Sequence, residues 1–206
     1  VGGVVGGGGF RRGDPKETFM ATVESARMTV EEFLALPDDG VDRMLINGEV
    51  RELGPTLRDP AHATTAANVS FLLESWRRDR PKPRGFVGAG QVNVRLSART
   101  MVGLDLAYVS PELAAATPKS NTYFDGVPTL AVEILSPSDK QEDIEDKITT
   151  YLDAGVPLVW IIQPRFRTVT VYRPDAVPRL YTIEDDITAE PHLPGFRAAV
   201  AEMFED

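Results

Sequence analysis

The stretches Gly103-Leu104-Asp105-Leu106-Ala107-Tyr108-Val109 and Leu130-Ala131-Val132-Glu133-Ile134-Leu135 decide how this chain folds. Both are short and apolar, so they read as strands over 104–109 and 130–135, and each carries one carboxylate in its interior. Strand side chains alternate between two faces. Leu104 and Leu106 are therefore expected on one face, with Asp105 on the other beside Ala107 and Val109. Glu133 shares its face with Ala131 and Leu135, while Val132 and Ile134 point away. A carboxylate among apolar neighbours is costly unless something compensates its charge. If the two strands pair, Asp105 and Glu133 converge, and two close carboxylates must share a proton or bind a cation. Each acid alone also has an ordinary explanation, exposure at a strand end or pairing with an arginine.

The chain has no cysteine and only two histidines, His62 and His192. Disulfides, thiolate zinc sites, cysteine nucleophiles and a histidine-rich metal centre are thereby excluded. Any metal must be held mainly by oxygen, which suits Mg2+ or Mn2+.

Working outward, Ser136-Pro137-Ser138-Asp139 turns the chain into a helix from Asp143 to Ala154, stopped by Gly155. Ile144, Ile148, Tyr151 and Leu152 form its buried stripe. Lys147 lies on the edge of that stripe, about 60° round from Ile144. From there its stem can lie on the core while its ammonium reaches the strand ends, where it would stabilise developing negative charge. The plainer alternative is a snorkelling surface lysine. Strands over 158–162 and 168–173 follow, joined by a turn at Pro164.

Upstream, Val92, Val94 and Leu96 alternate in a strand over 91–96, and Ala66, Val69, Leu72, Leu73 and Trp76 mark an amphipathic helix over 61–79. Asn47-Gly48 joins Arg43–Ile46 to a second strand that Glu49 starts and that runs through Val50 to Leu53, a hairpin signal. Thr29 and Glu32 form a capping box for a short helix stopped by Pro37. This order implies an α/β fold, a mixed central β-sheet flanked by helices with an N-terminal β-hairpin. Residues 1–27, glycine-rich and without apolar period, are expected to be a disordered leader, native or vector-derived. Residues 28–206 are expected to form one domain.

Of 206 residues, 42% are hydrophobic and 26% charged, and 31 acidic against 22 basic residues give a net charge of −9. No run approaches the ~18 to 20 apolar residues that cross a bilayer, so no membrane partner and a cytoplasmic location are expected. Such a field repels a phosphate backbone, and a nucleic-acid substrate would need a local basic patch. The run Trp76-Arg77-Arg78-Asp79-Arg80-Pro81-Lys82-Pro83-Arg84 is the one segment that offers it. A solvated helix end followed by a proline-broken loop is the simpler reading of that run.

Taken in order, Leu45-Ile46-Asn47-Gly48-Glu49-Val50, Gly103 to Val109, Val132-Glu133-Ile134-Leu135-Ser136-Pro137-Ser138, Lys147 with Tyr151, Gly155-Val156, Trp160-Ile161-Ile162 and Leu193-Pro194-Gly195 resemble the Uma-type restriction endonuclease family of the PD-(D/E)XK nuclease superfamily. The likeness runs from about Met28 to the C-terminus. It implies a restriction-endonuclease-like core in which Asp105 and Glu133 hold a divalent metal and the Ile134 carbonyl adds a ligand. The superfamily lysine normally stands two residues after the glutamate, where this chain has Leu135, and the resemblance assigns its part to Lys147. Glu49 matches a recurrent family glutamate that reaches the metal through water, and His62 matches a family histidine. The chain departs from the family pattern at Arg43-Met44, in place of a tyrosine-glutamate pair, and at Leu104, in place of proline.

The leading expectation is then a Mg2+-dependent endonuclease that hydrolyses phosphodiester bonds of DNA, acting as a homodimer. The competing class is a catalytically inactive binding or regulatory module that kept the fold. A small-molecule or RNA phosphoester hydrolase is the third.

Overall fold

The computed structural model describes residues 1–3, 27–52 and 59–205. Most of the expected leader, and the expected strand end Leu53, lie outside the described residues. Helix α1 (Val30–Leu34) carries the reciprocal capping box: the Thr29 amide donates to Glu32 Oε2 at 2.8 Å, and the Glu32 amide donates to Thr29 Oγ1 at 3.3 Å. The hairpin β1 (Arg43–Ile46) and β2 (Glu49–Glu52) closes through Asn47 and Gly48, with φ of 52° and 83°. Both lie in the left-handed region that a two-residue primed turn requires. Glycine is needed at 48 for space as well, because a Cβ there would stand 2.5 Å from Arg27 Cβ.

Helix α2 (Pro60–Arg78) starts at Asp59, whose Oδ1 accepts the His62 amide at 2.8 Å. It buries His62, Thr65, Val69, Leu73 and Trp76, one stripe at helical spacing. The long strands β3 (Phe86–Ser97) and β4 (Thr100–Val109) form an antiparallel pair. Helix α3 (Pro111–Ala116) and the short β5 (Phe124–Asp125) precede β6 (Leu130–Ile134), helix α4 (Gln141–Asp153) and β7 (Val159–Gln163). The chain continues through β8 (Thr168–Tyr172), β9 (Arg179–Thr182), β10 (Asp186–Thr188) and β11 (Arg197–Ala199). Among the described residues one sheet takes nine strands, ordered β2-β1-β4-β6-β7-β8-β9, with β3 beside β4 and β5 beside β3; β10 and β11 pair separately. The sheet is mixed: β6 and β7 are parallel, joined through α4, and the other neighbours on that path are antiparallel.

Two core clusters lie against this sheet. Val69, Leu73 and Trp76 of α2 pack with Leu106, Val132, Ile134, Trp160 and the C-terminal Leu193, Phe196 and Met203. Ile148 and Tyr151 of α4 pack with Met44, Ile46, Leu104, Ala107, Ala131 and Ile161. The expected alternation holds for β6, where Val132 and Ile134 face α2 and Ala131 joins the α4 side. It fails in β4. Leu104 packs with α4 and Leu106 with α2, so the two leucines do not share a face. The phase breaks at Asp105, opposite a bulge in β3 where Gly90 and Gln91 adopt φ of 80° and 75°.

Strand β3 starts at Phe86 and not at the expected Gln91, because Phe86 to Ala89 pair with β4 on the far side of the bulge. Gly88 and Gly90 interrupt the apolar pattern of a strand that nevertheless pairs from Phe86 onward. Likewise β4 begins at Thr100, before the Gly103 that hides its first half. Among the described residues no helix is long and apolar enough to cross a membrane.

The basic run closes the end of α2. Arg77 and Arg78 both bond Glu74, at 2.6 and 2.8 Å, and Arg77 also reaches the Gly85 carbonyl at 3.3 Å. Trp76 Nε1 and Arg80 Nη1 donate to the Pro194 carbonyl at 3.0 and 3.2 Å. Arg84 donates to the Arg80 carbonyl at 2.6 Å.

Leu72 and Leu73 both belong to the expected apolar stripe, but only Leu73 is fully buried. Leu73→Ala should cost about 2 to 5 kcal/mol and Leu72→Ala about half that. Urea denaturation of the two variants checks the order; equal losses would mean that α2 sits differently on the sheet.

Candidate active site

Strand β4 is paired along one edge by β3. Its other edge is shared, by β1 at Met101 and by β6 from Leu106 to Tyr108. Between these two partners, Val102 to Leu104 have no ladder partner on that edge among the described residues. The registers Leu106↔Val132 and Ala107↔Ala131 would place Asp105 opposite Glu133 if the pairing continued. Instead the strands part there, and the Asp105 carboxylate takes the place of the ladder: the Ile134 amide donates to its Oδ2 at 2.8 Å.

The fork opens a cavity of about 510 Å³. Asp105, Glu133 and Lys147 all line it, so the structure brings these three sequence-derived residues together. Glu133 is 5% exposed, and its carboxylate is held from α4: Lys147 Nζ donates to Oε2 at 2.8 Å, and the Tyr151 hydroxyl donates to Oε1 at 2.6 Å. Residues 147 and 151 are one helical turn apart and so present both donors to the same acceptor. His62, from the first turn of α2, places Nε2 3.4 Å from Asp105 Oδ2. The site thus draws on helices from both sides of the sheet.

The two carboxylates are pushed in opposite directions. Burial alone raises Asp105, but the bond with His62, the Ile134 amide and the Lys147 charge outweigh it and hold the carboxyl below its ordinary range. Burial pushes Glu133 up, and Lys147 and Tyr151 offset this only in part, with the Asp105 charge adding to the rise. Burial works against the Lys147 ammonium, but Glu133 and Asp105 more than compensate and raise it. Tyr151, fully buried beside Glu133, is held well above the usual phenol range. A carboxylate of low pKa beside one of high pKa suits a centre that gains or loses a proton as a cation comes and goes.

Glu49 is not gathered with the others. It is exposed at the turn end of β2, outside the residues that line the cavity. Met44 does line the cavity, so the departure from the tyrosine-glutamate pair bears directly on the site, as does Ile134. The sequence reading missed two residues. Tyr151 is expected in the buried stripe and in the family motif with Lys147 but without a role at the site, although a buried tyrosine hydroxyl generally needs a partner and the spacing of four from Lys147 points to a shared one. Gln91 also lines the cavity, and its signal was the glycine before it, which inside a strand marks a bulge.

Residues 30–201 match the Uma2 family, described as "Putative restriction endonuclease". The fold is similar to that of a crystal structure from Anabaena variabilis described as "a putative nuclease belonging to DUF820", with a TM-score of 0.73 and 18% identity over 86% of this chain and 97% of that one. At that identity the likeness speaks to fold alone. No curated protein matches the chain.

Removing the Tyr151 hydroxyl should raise the Glu133 carboxyl further. A carboxyl raised in the folded state above its ordinary 4.5 adds stability below that value and loses it as pH rises through the folded value. Tyr151→Phe should therefore cost about 1.5 to 3 kcal/mol at pH 8 and less at pH 4. Denaturant melts at the two pH values test the sign, and a loss independent of pH would detach Tyr151 from the Glu133 charge.

Proposed function

Since the chain belongs to the Uma2 family, the restriction endonuclease family matched above, we propose that it hydrolyses phosphodiester bonds of DNA with a divalent cation, Mg2+ or Mn2+. The observation that carries this reading is the convergence of Asp105 and Glu133 on one cavity, with Lys147 bonded to Glu133.

The donors fit such a cation. Two carboxylates and the Ile134 carbonyl are hard oxygen ligands, although no group of three or more His, Cys, Asp or Glu side chains is placed to hold a metal ion among the described residues. Magnesium is commonly held by one or two carboxylates, with water and phosphate oxygens completing its shell. Asp105, Glu133 and the Ile134 carbonyl would hold it here. When bound, the cation supplies Lewis-acid polarisation of the phosphate and a lowered pKa for water. The chain does the rest. The Ile134 amide fixes Asp105 in the fork, and Tyr151 orients Glu133. Lys147 sets a positive charge on the cavity wall, where a phosphate under attack gathers negative charge. This reading includes one domain over residues 28–206 and a homodimer with two cavities.

One observation favours the inactive binding module: Lys147 and Tyr151 already satisfy Glu133 within the protein. The same measurements separate the two readings. Wild type should cleave DNA in Mg2+ and lose that activity in EDTA, Asp105→Asn and Glu133→Gln should abolish it, and Lys147→Ala should lower it about 10²- to 10³-fold. Magnesium at about a hundred times its Kd should stabilise the wild type by about 2.7 kcal/mol and Glu133→Gln by much less. Equal thermal shifts in both proteins, or cleavage that survives Glu133→Gln, would remove Glu133 from the mechanism.

A further inference from the structure

Across the bulge from the carboxylate cavity runs a groove of about 640 Å³ along β3. Phe86 and Phe124 meet there with ring centroids 5.1 Å apart and planes tilted by 47°, and Tyr123 adds a third ring to the wall. The Phe86 ring folds back over Gly88, where a Cβ would stand 2.6 Å from it, and the residue still keeps 42% exposure. Asn93 and Asn121 bring amides, and Lys119 brings a cation. None of the residues lining this groove is acidic, in a chain with 31 acidic residues.

Gln91 joins the two spaces. It lines both, and its side chain lies over Gly103, where a Cβ would stand 2.8 Å from Gln91 Cγ. A glutamine held at φ 75° is a strained backbone position of the kind that collects at functional sites.

We propose that this groove receives the unpaired nucleotides that flank the bond to be cut. The inference rests on the nuclease reading, in that the same strand enters the carboxylate cavity. The exposed Phe86, backed by the half-buried Phe124 and Tyr123, suits base stacking, the amides suit base edges, and Lys119 suits a phosphate in a chain otherwise rich in negative charge. Paired bases inside a duplex would keep their faces from these rings, so the substrate is single-stranded or locally opened. Gln91 contacts the strand where it crosses from one space to the other.

Fluorescence anisotropy of the full chain in EDTA, with a labelled oligothymidine and a labelled duplex, tests this apart from cleavage. The oligothymidine should bind more tightly. Phe86→Ala should weaken it between about 5-fold and 100-fold, the effect of one lost stacked base. Phe86→Leu, which keeps apolar volume but no ring, should do nearly the same at an unchanged melting temperature. Lys119→Ala should lower the logarithmic salt slope by about 0.7. Duplex bound as tightly as oligothymidine, or affinities unmoved by both Phe86 variants, would overturn the proposal. So would a dimer in sedimentation that Phe86→Ala dissolves while oligonucleotide affinity stays constant, since a second copy would then be the occupant. Cleavage by a wild type that ignores Phe86 overturns the groove and leaves the nuclease reading. Binding through Phe86 without cleavage in any divalent cation does the reverse.

Discussion

Strand β4 has three partners and only two edges, and that arithmetic governs the site. Because β1 and β6 divide one edge between them, the stretch Val102 to Leu104, next to Asp105, has no ladder partner on that edge among the described residues. Buried amides must be bonded, and the Asp105 carboxylate meets the Ile134 amide that the ladder leaves behind. The acid is therefore structural and chemical at once. It closes the fork while holding a charge at its mouth, and the adjoining Glu133 must be neutralised from elsewhere.

That neutralisation comes from α4, which explains how an acid 5% exposed survives in a strand as apolar as Leu130–Ile134. Lys147 and Tyr151 give Glu133 two donors at low conformational cost, because one helix carries both. The arrangement is balanced and not inert. A buried carboxyl pushed upward is a group whose protonation a second cation can change, and the ammonium now bonded to it stands ready to face an anion.

Much of this was legible in the residues, because a charge flanked by apolar side chains in a strand needs a partner whatever the fold. Asp105, Glu133 and Lys147 follow from that argument and from helical spacing. The rest failed for physical reasons. Strict alternation put Leu104 and Leu106 on one face, but a bulge in a neighbouring strand shifts the phase of β4, and pairing across strands is not written in either strand alone. Gln91 and the first half of β3 were hidden by the glycines that create the bulge. Glu49 sits next to a turn that the Asn47-Gly48 signal predicts, yet the direction of the hairpin relative to the fork depends on how β1 meets β4, at the ladder pair Leu45↔Met101 and through the Gly48 amide on the Arg99 carbonyl. The basic run is tied into the fold, its guanidinium groups bonding Glu74 and main-chain carbonyls, which the charge count alone does not reveal.

Placing the lysine on a helix and not on the glutamate's own strand changes what may vary between relatives. On a strand, the separation of acid and lysine along the chain is set by the pleat. Here the turn from Leu135 to Lys140 can in principle gain or lose residues while Lys147 and Tyr151 stay matched to each other. A residue inserted between 147 and 151 would swing one of them by about 100° and strand the carboxylate with a single donor. Alignments of distant relatives should therefore be anchored on that interval of four and allowed to slide elsewhere, since a search for a fixed glutamate-to-lysine distance would pass over chains built like this one.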